Sequence, residues 1–262
     1  MDFYVIALSK KRPFCEMELK VVEKVTDGIL WVAGRDRFMP DSHIYVLGDV
    51  NGNDLTIIDC GIVEMGTYKL GELESCGINL EKVKRIIMTH THLDHIGCLG
   101  EFLEKGPHIK IWVHQEEAVY LEQGDDRIVF GNKMFESMIR SQYSIPAGFF
   151  KFKVDRKLQG DEILDVGGHK FKVIHVPGHS IGSIGLYDQE RKIFISGDTI
   201  YADGAIGRYD LFSADPEKLK ESLNLIATLE IDTLLPCHNR IVRSGANQMV
   251  KNTVQNWLPL LK

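Results

Sequence analysis

The sequence predicts an α/β protein in which strands form the inside of a sandwich and helices cover both outer faces. Two observations lead to this prediction: short apolar runs typical of strands alternate with segments of helical spacing, and the order of elements is similar in the two halves of the chain. A chain of 262 residues with 44% hydrophobic composition can bury a large core. Because no stretch rich in Pro, Gly or Ser separates the halves, we expect a single domain over residues 1–262.

The first half of the chain is expected to alternate strands with helices. Each predicted strand is a short apolar run bounded by Gly, Asn or Asp, and each predicted helix has apolar residues that recur on one face. The predicted strands cover residues 28–33, 44–47, 55–58, 83–88 and 109–113. The predicted helices cover residues 62–76, 96–105 and 115–122.

The second half restarts with strands after Asp161 and closes with a helix and a last short strand. The helix is predicted over residues 216–229, because Asp215 can cap its first turn and Pro216 favours the first helical position. The predicted strands cover residues 162–166, 171–176, 184–187, 193–196 and 233–235.

Residues 124–158, between the halves, are interpreted as a helical insertion beside the functional site. Its helix-like part, residues 132–142, carries an apolar stripe. The stripe consists of Met134, Phe135, Met138 and Ile139. A stripe of this kind is typical of core packing or of a dimer surface, and the alternative is a hydrophobic substrate wall or lid over a neighbouring site.

Charge and the N-terminal segment argue against several classes of protein. The formal net charge is −6, whereas proteins that bind nucleic acid usually carry a basic face. The apolar run at residues 3–8 is too short for a secretory or membrane-spanning segment, and its basic residues follow it instead of preceding it. The five Cys are odd in number and lack C-x-x-C spacing, which is typical of a reducing compartment. We expect a cytoplasmic protein that acts on a small molecule, with no nucleic acid or membrane partner, and the insertion makes a homodimer plausible.

The densest chemical feature is Thr89-His90-Thr-His92-Leu-Asp94-His95, placed directly after an apolar strand. On an extended segment, residues two apart project to the same side, so His90 and His92 can ligate one ion. The chain then turns, and Asp94 with His95 can face a second position. Imidazole nitrogen and carboxylate oxygen suit zinc or iron, so one short loop is predicted to supply four metal ligands.

Three further candidate ligands each follow a predicted strand. They are His179 in Pro-Gly-His-Ser, Asp198 in Ser-Gly-Asp-Thr and His238 in Pro-Cys-His-Asn. An α/β scaffold commonly builds its site at strand ends, because rigid strands aim loop side chains at a shared point. We expect all seven side chains to meet there.

The remaining histidines lack partner spacing and are interpreted as structural. His114 is expected to cap a helix or lie on the surface, and Cys237 is expected to be buried and inert. His43 is also read as structural, although it could touch substrate. The others are His108, His169 and His175.

These seven residues, in this order, resemble the metal-binding set of the metallo-β-lactamase superfamily. The match runs from the strand ending at Asp59 to the loop holding His238, and every position is filled. The resemblance implies the four-layer αβ/βα sandwich of the metallo-β-lactamase fold. It also places His90, His92 and His179 on one metal ion, Asp94, His95 and His238 on the other, and Asp198 between them. Asp59 is implied to hold a ligand loop from behind the metals; its alternative role is a helix or turn cap.

Two divalent ions at such a centre can share a bridging hydroxide, which attacks either the carbon of a carbonyl group or the phosphorus of a phosphoryl group. Zinc is expected first, with iron or manganese as alternatives. Asp94 is either the acceptor or relay for the proton or a ligand only. Tyr201 stands three residues after Asp198, as in lactonases of the superfamily, and is either a hydrogen-bond donor to the substrate carbonyl or a packing residue. Arg208 can pair with a substrate carboxylate or, as the simpler reading, with Asp210.

Departures from individual branches narrow the activity. Secreted zinc β-lactamases usually carry Cys where Asp198 stands, and the glutathione-thioester hydrolases carry a sizeable C-terminal helical domain, whereas 24 residues follow His238 here. Nuclease branches of the superfamily usually carry an additional domain or arm that binds RNA, and neither this feature nor a basic face is visible in the sequence. We therefore expect a dinuclear hydrolase, lactonase- or thioesterase-like, that cleaves an ester-like acyl bond such as a lactone, thioester or β-lactam-like bond. The alternatives are an oxidoreductase resembling the mononuclear iron persulfide dioxygenases and a metal-binding protein without catalysis.

Overall fold

A computed structural model describes residues 22–35 and 39–261 of the chain. The apolar run at residues 3–8 and the basic residues after it lie outside the described residues. Two β-sheets pack face to face, and each carries helices on its other side.

The first sheet has seven strands in chain order. The first three neighbouring pairs are antiparallel, and the last three pairs are parallel. They are β1 Val22–Thr26, β2 Ile29–Val32, β3 Ile44–Leu47, β4 Leu55–Ile58, β5 Val83–Ile87, β6 Lys110–His114 and β7 Arg156–Leu158. The second sheet has five strands in the order β12-β11-β10-β9-β8. They are β8 Ile163–Val166, β9 His169–His175, β10 Ile184–Asp188, β11 Ile193–Gly197 and β12 Thr233–Pro236. Only the β11–β12 pair is parallel in this sheet.

Six helices accompany the first sheet and two the second among the described residues. The six are α1 Gly66–Ser75, α2 Leu93–Ile96, α3 Leu99–Lys105, α4 Gln115–Gln123, α5 Arg127–Phe130 and α6 Lys133–Tyr143. The two are α7 Pro216–Ala227 and α8 Ala246–Trp257, which pack against each other.

Alternation along the strands creates three apolar layers. In β3, Tyr45 and Leu47 pack between the sheets, whereas Val46 packs toward the helices of the first sheet. In β11, Ile195 packs between the sheets and Phe194 toward α7 and α8. The central strands of both sheets are therefore buried on both faces, as in the αβ/βα sandwich that the sequence predicts.

Most predicted elements are confirmed, within one to three residues at their ends. Asp215 caps α7 with its side chain, accepting hydrogen bonds from Glu217 N and Lys218 N, and Pro216 is the first helical residue. The sequence prediction missed β1, β7 and α8, as well as the short helices α2 and α5 and a 3-10 helix at Leu80–Lys82. β1 and β7 are the two edge strands of the first sheet, and β1 is half-buried, so the apolar pattern that identifies central strands is weak there.

The helix predicted from residue 62 begins four residues later, at Gly66. Ile62 and Met65, within the predicted range, are buried but precede the helix, and Cys76 at its end is exposed. The prediction also missed Lys69, which is fully buried because its ammonium pairs with the equally buried Asp41 at 2.9 Å.

The helix predicted over residues 96–105 corresponds to α3, which begins three residues later, at Leu99. A separate short helix, α2, precedes it. At Gly97, between the two helices, a Cβ would lie 2.3 Å from the backbone nitrogen of Val63, so the absence of a side chain lets this segment pack against the backbone after β4.

The insertion is only partly helical, and its apolar stripe is only partly packed. Residues 156–158 are not insertion but strand β7 of the first sheet. On α6 only Ile139 is fully buried, whereas Met134 is 83% exposed and Met138 52% exposed. Core packing therefore explains half of the stripe, because α6 lies at the surface of the sheet's helical layer.

No described helix has the length and apolar character that crossing a membrane would require.

Candidate metal centre

The candidate ligands follow strands whose carboxyl ends lie at one edge of the sandwich. His90, His92, Asp94 and His95 follow β5, His179 follows β9, Asp198 follows β11 and His238 follows β12. β9 and β11 both run antiparallel to β10 and therefore share a direction, and β12 is parallel to β11. All seven side chains meet there, in two groups whose ligand atoms lie within 4.8 Å of one another.

The first cluster consists of three histidines. His179 Nε2 lies 3.1 Å from His90 Nε2 and 2.9 Å from His92 Nδ1. Two nitrogens bonded to one tetrahedral zinc ion at about 2.0–2.1 Å stand about 3.3 Å apart. The three rings are therefore spaced as ligands of a single ion.

Hydrogen bonds on the far side of two rings show which nitrogen carries the proton. His179 Nδ1 donates to the backbone oxygen of Arg208 at 2.7 Å. The hydroxyl of Thr89 donates to Asp59, so it accepts from His90 Nδ1 at 3.2 Å. In the neutral rings both Nε2 atoms then present lone pairs to each other, an arrangement that needs a cation between them.

The second cluster joins two carboxylates to two histidines. His238 Nε2 lies 3.1 Å from Asp94 Oδ2 and 3.3 Å from Asp198 Oδ2, and His95 Nε2 lies 3.3 Å from Asp198 Oδ1. Asp198 Oδ2 is also 3.8 Å from His179 Nε2 of the first cluster. Asp198 thus lies between the two clusters, where the resemblance to the superfamily puts a bridging ligand.

The two clusters have opposite electrostatics. Burial, reinforced by the neighbouring imidazoles, lowers the pKa of His92 to about 3 and lowers the pKa of His90 and His179 as well. Burial also acts to lower the pKa of His238, but the charges of Asp198 and Asp94 outweigh it and raise that pKa to about 10. The first cluster therefore offers neutral nitrogens, and the second attracts positive charge.

Both clusters fit divalent metal ions. In the first cluster, the Nε2 atoms of His90 and His179 face each other without a proton between them. In the second cluster, His95 Nε2 and Asp198 Oδ1 are buried without a hydrogen-bond partner among the described residues, which is costly for polar atoms unless something binds them. Imidazole nitrogens with carboxylate oxygens form a donor set suited to zinc or iron.

Asp59 supports the centre from behind. Its Oδ1 accepts from Thr89 N at 2.7 Å, and its Oδ2 accepts from the Thr89 hydroxyl, from His95 Nδ1 at 3.0 Å and from Cys237 Sγ at 3.1 Å. The carboxylate thereby fixes the His95 ring with Nε2 directed at Asp198. The geometry matches the supporting role that the resemblance implies for Asp59, not that of a helix cap.

His43 holds the loop that carries His238. Its backbone N donates to Cys237 O at 2.7 Å, and its Nε2 donates to Asn239 O at 2.6 Å. Its Nδ1 accepts from Gly34 N at 2.8 Å, so both ring nitrogens are used within the protein. Cys237 is buried, and its side chain points away from the clusters to Asp59. His43 is thus structural, as the sequence reading favoured.

The other histidines interpreted as structural lie outside both clusters. His114 caps α4, accepting from Glu116 N, and is buried instead of exposed. Its ring stacks on that of His175 with centroids 4.0 Å apart. His169 Nδ1 pairs with the buried carboxylate of Asp188 at 2.8 Å.

Glu117 is the functional candidate that the sequence prediction missed. It is fully buried on α4, yet its carboxylate accepts hydrogen bonds from Thr91 and Ser180, the residues beside His92 and His179. Burial raises the pKa of Glu117, although the donated hydrogen bonds oppose this rise. In the sequence a Glu in a first helical turn reads as a surface residue favoured by the helix dipole, so no local signal identified it.

The clusters form the floor of a cavity of about 400 Å³. One side of this cavity, here called the apolar wall, is contributed by the segment before β3, by α2, by the insertion and by the loop after β11. Its residues are Met39, Leu93, Val129, Phe130, Phe135 and Leu211. Three of these residues, Val129, Phe130 and Phe135, belong to the segment interpreted as an insertion.

Two further predicted residues also reach the cavity. Tyr201 lines it, with its ring centroid 6.1 Å from that of His238. Burial and the charge of Asp198 raise the pKa of Tyr201 well above its usual value, so the phenol keeps its proton. Arg208 stands at the rim and forms a two-pronged ion pair with Asp210, with both N–O distances 2.8 Å, so the simpler reading of its side chain holds.

Gly207 lets the loop after β11 pass close to the ligands. A Cβ at this position would lie 1.9 Å from Asp198 O and 2.9 Å from His179 Nδ1. Any larger residue would displace two candidate ligands.

This chain is similar to a protein-family model, to characterised hydrolases and to a solved structure. A family model described as the metallo-beta-lactamase superfamily matches residues 40–238. The acyl-coenzyme A thioesterase MBLAC2 of Bos taurus is 27% identical over 253 residues, which cover 86% of this chain and 85% of that protein. The hydroxyacylglutathione hydrolase GloC of Haemophilus influenzae is 31% identical over 173 residues, or 65% of this chain and 69% of that protein. The crystal structure of TTHA1623 in a di-iron-bound form superposes with a TM-score of 0.60 at 25% identity, covering 80% of this chain and 94% of that one.

Proposed function

Because the chain belongs to the metallo-beta-lactamase superfamily and its relatives include an acyl-coenzyme A thioesterase and a hydroxyacylglutathione hydrolase, we propose that it is a dinuclear metal-dependent hydrolase of ester-like acyl bonds, with acyl thioesters as the preferred class. One observation carries the proposal. Two adjoining groups of buried ligand atoms, with unpartnered lone pairs among them, form the floor of a cavity that has an apolar wall.

The first cluster would hold one ion through His90, His92 and His179, and the second would hold another through Asp94, His95 and His238, with Asp198 shared. When bound, such a pair supplies a water molecule of lowered pKa as nucleophile and polarises the acyl oxygen. Zinc fits the donor set, and iron is the other candidate.

The chain's own residues orient the substrate and move protons. Burial acts to raise the pKa of Asp94, but His95 and His238 lower it to about 2, so the side chain is an anion at neutral pH and can accept the proton of the attacking water. Tyr201, which keeps its phenolic proton, is placed on the cavity surface to donate to the acyl oxygen. The apolar wall excludes water from the acyl group.

A thioester is preferred over a lactone for two reasons. The apolar wall suits an extended hydrocarbon acyl group, which a small lactone does not fill. MBLAC2, which is similar over most of this chain, is an acyl-coenzyme A thioesterase. Lactones remain a second substrate class for the same centre, because the same nucleophile and oxyanion donor serve both.

Metal analysis combined with turnover tests the proposal. We expect about two ions per chain and hydrolysis of acyl-coenzyme A thioesters, followed through release of the free thiol. The variant His92→Ala removes a ligand of the first cluster and is expected to abolish turnover while the far-ultraviolet circular dichroism stays unchanged. His108→Ala, which changes a histidine outside both clusters, is the matched control and keeps the activity.

Two results would overturn the proposal. Full activity in His92→Ala would reject the assigned centre. A single iron per chain with oxygen consumption on a persulfide would assign the protein to the oxidoreductase alternative.

A further inference from the structure

The carboxylate of Glu117 is buried without an ion-pair partner in the described residues, and three hydrogen bonds account for it. Oε2 accepts from the Thr91 hydroxyl at 2.7 Å. Oε1 accepts from the Ser180 hydroxyl and from Gly182 N, the latter at 3.2 Å. Burial of a carboxylate is unfavourable unless such donors satisfy it, so this arrangement holds the two loops to one side chain.

The donors come from opposite sheets of the sandwich. Thr91 lies between His90 and His92 in the loop after β5, and Ser180 is the residue after His179 in the loop after β9. Glu117 itself lies on α4, which follows β6. The first cluster is the one assembled from these two loops, because two of its ligands come from one and the third from the other.

The loop after β9 is organised around this contact. Since the Ser180 hydroxyl donates to Glu117, its oxygen accepts from the Ser183 hydroxyl at 2.7 Å, and Ser183 Oγ in turn accepts from Ser180 N at 3.3 Å. At Gly182 a Cβ would lie 2.7 Å from Glu117 Cγ, so this glycine allows α4 to approach. The turn that presents His179 is thus built against Glu117.

The second cluster is supported by a different buried carboxylate, Asp59, which joins His95 to Cys237 in the loop after β12. Among the described residues, the hydrogen bonds of the Glu117 carboxylate go to the loops after β5 and β9. A change at Glu117 should therefore affect the two clusters unequally.

We propose that Glu117 is a positioning residue that clamps the loop of His90 and His92 to the loop of His179, and so sets the metal affinity of the first cluster alone. The inference rests on the proposed metal-dependent function. Replacement of residues that orient metal ligands typically weakens metal binding by about 10- to 100-fold.

Zinc titration of the metal-free protein against a chromophoric chelator tests the clamp, in two backgrounds that separate the clusters. In His238→Ala the second cluster is disabled, and in His92→Ala the first is. We expect Glu117→Ala to raise the dissociation constant for zinc about 10- to 100-fold in the His238→Ala background and to leave it unchanged in the His92→Ala background. Glu116→Gln, an exposed neighbour on the same helix, is the control and changes neither.

If the alanine variant does not fold, Glu117→Gln replaces it in the zinc titration. Its amide oxygen still accepts from Ser180 and Gly182, and its NH₂ group can donate to Thr91, so we expect a smaller loss with the same preference for the first cluster. The inference is overturned by unchanged zinc affinity in the His238→Ala background, or by equal losses in both backgrounds, which would indicate a general effect on stability. Absence of zinc binding by the unmodified protein would instead reject the proposed function.

Discussion

At the residue scale, the geometry of the candidate centre depends on proton positions that are set by atoms outside the two clusters. His179 Nδ1 donates to the backbone of Arg208, and His95 Nδ1 donates to Asp59. Each bond leaves the opposite ring nitrogen as a lone pair directed into the centre. The sequence pattern predicts the ligands themselves. The hydrogen bonds that orient their rings, and the contacts of Glu117, involve residues far apart in the chain.

Tyr201 is expected to act on the chemical step and not on binding. Tyr201→Phe keeps the ring but removes the donor, so kcat for a thioester should fall by about 100-fold with little change in KM. Steady-state kinetics measures both constants, and thermal unfolding checks that the fold is intact. An unchanged kcat would make Tyr201 a packing residue, the alternative reading of the sequence.

His114 should make stability depend on pH. Burial, together with the stacked His175, lowers the pKa of His114 to about 4, below the value of 6.5 expected in the unfolded chain, although Glu162 acts in the opposite direction. Between pH 6.5 and 4 the unfolded chain binds more protons at this ring, so this contribution to the free energy of unfolding is complete above pH 6.5 and is lost as the pH falls.

The variant His114→Asn isolates that contribution, because Asn also caps helices but does not titrate. Urea unfolding at pH 7.5 and pH 5 should show that the native protein loses more stability on acidification than the variant does. Equal losses in the two proteins would show that His114 does not contribute to the pH dependence.

At the element scale, the predicted helix ends were correct where caps and periodicity agreed. They were wrong where the chain packs closely against a segment distant in the sequence. Asp215 and Pro216 begin α7 as predicted. The helix predicted from residue 96, by contrast, begins only at Leu99, and no local pattern reveals how closely Gly97 packs against the backbone of Val63. The edge strands β1 and β7 were missed for the same reason, since pairing with a neighbour decides whether such a segment becomes a strand.

Helix α6 is expected to set which acyl groups fit the cavity. Phe135 lines the apolar wall, whereas its neighbour Met134 points into solvent. Phe135→Ala enlarges the cavity, so kcat/KM for longer acyl chains relative to short ones should rise by about 10-fold. A series of acyl thioesters of increasing chain length measures this ratio. Met134→Ala is the matched control, and an identical profile in the two variants would remove α6 from substrate selection.

At the scale of the whole molecule, the candidate centre joins the two sheets. The first sheet supplies the ligands after β5, and the second supplies His179, Asp198 and His238. A metal ion that binds the folded protein, and not the unfolded chain, stabilises it by about 2.7 kcal/mol when its concentration is 100 times the dissociation constant. Metal occupancy should therefore be visible in global stability.

Removal of metal by a chelator is expected to lower Tm by roughly 5–10 °C for that stabilisation. Differential scanning calorimetry before and after treatment, and after zinc is returned, measures the change. The double variant His92→Ala/His238→Ala cannot hold either ion and should show no response to chelator. A chelator effect of equal size in that variant would place the stabilising metal elsewhere.

The formation of a homodimer is still a prediction for the whole molecule. Met134 and Met138 on α6 are exposed, as a dimer surface requires. Light scattering at several protein concentrations decides the oligomeric state.

The sequence by itself determined the sandwich and the seven candidate ligands, because both are written in short-range signals: alternating apolar residues, strand ends and the spacing of histidines around Asp94. The tertiary structure alone decided how closely the ligand atoms approach one another, which residues line the cavity and which buried groups besides Asp59 hold the ligand loops. His43 and Glu117 act through partners in other loops. Their roles depend on how two sheets pack, a long-range arrangement that no local pattern in the chain records.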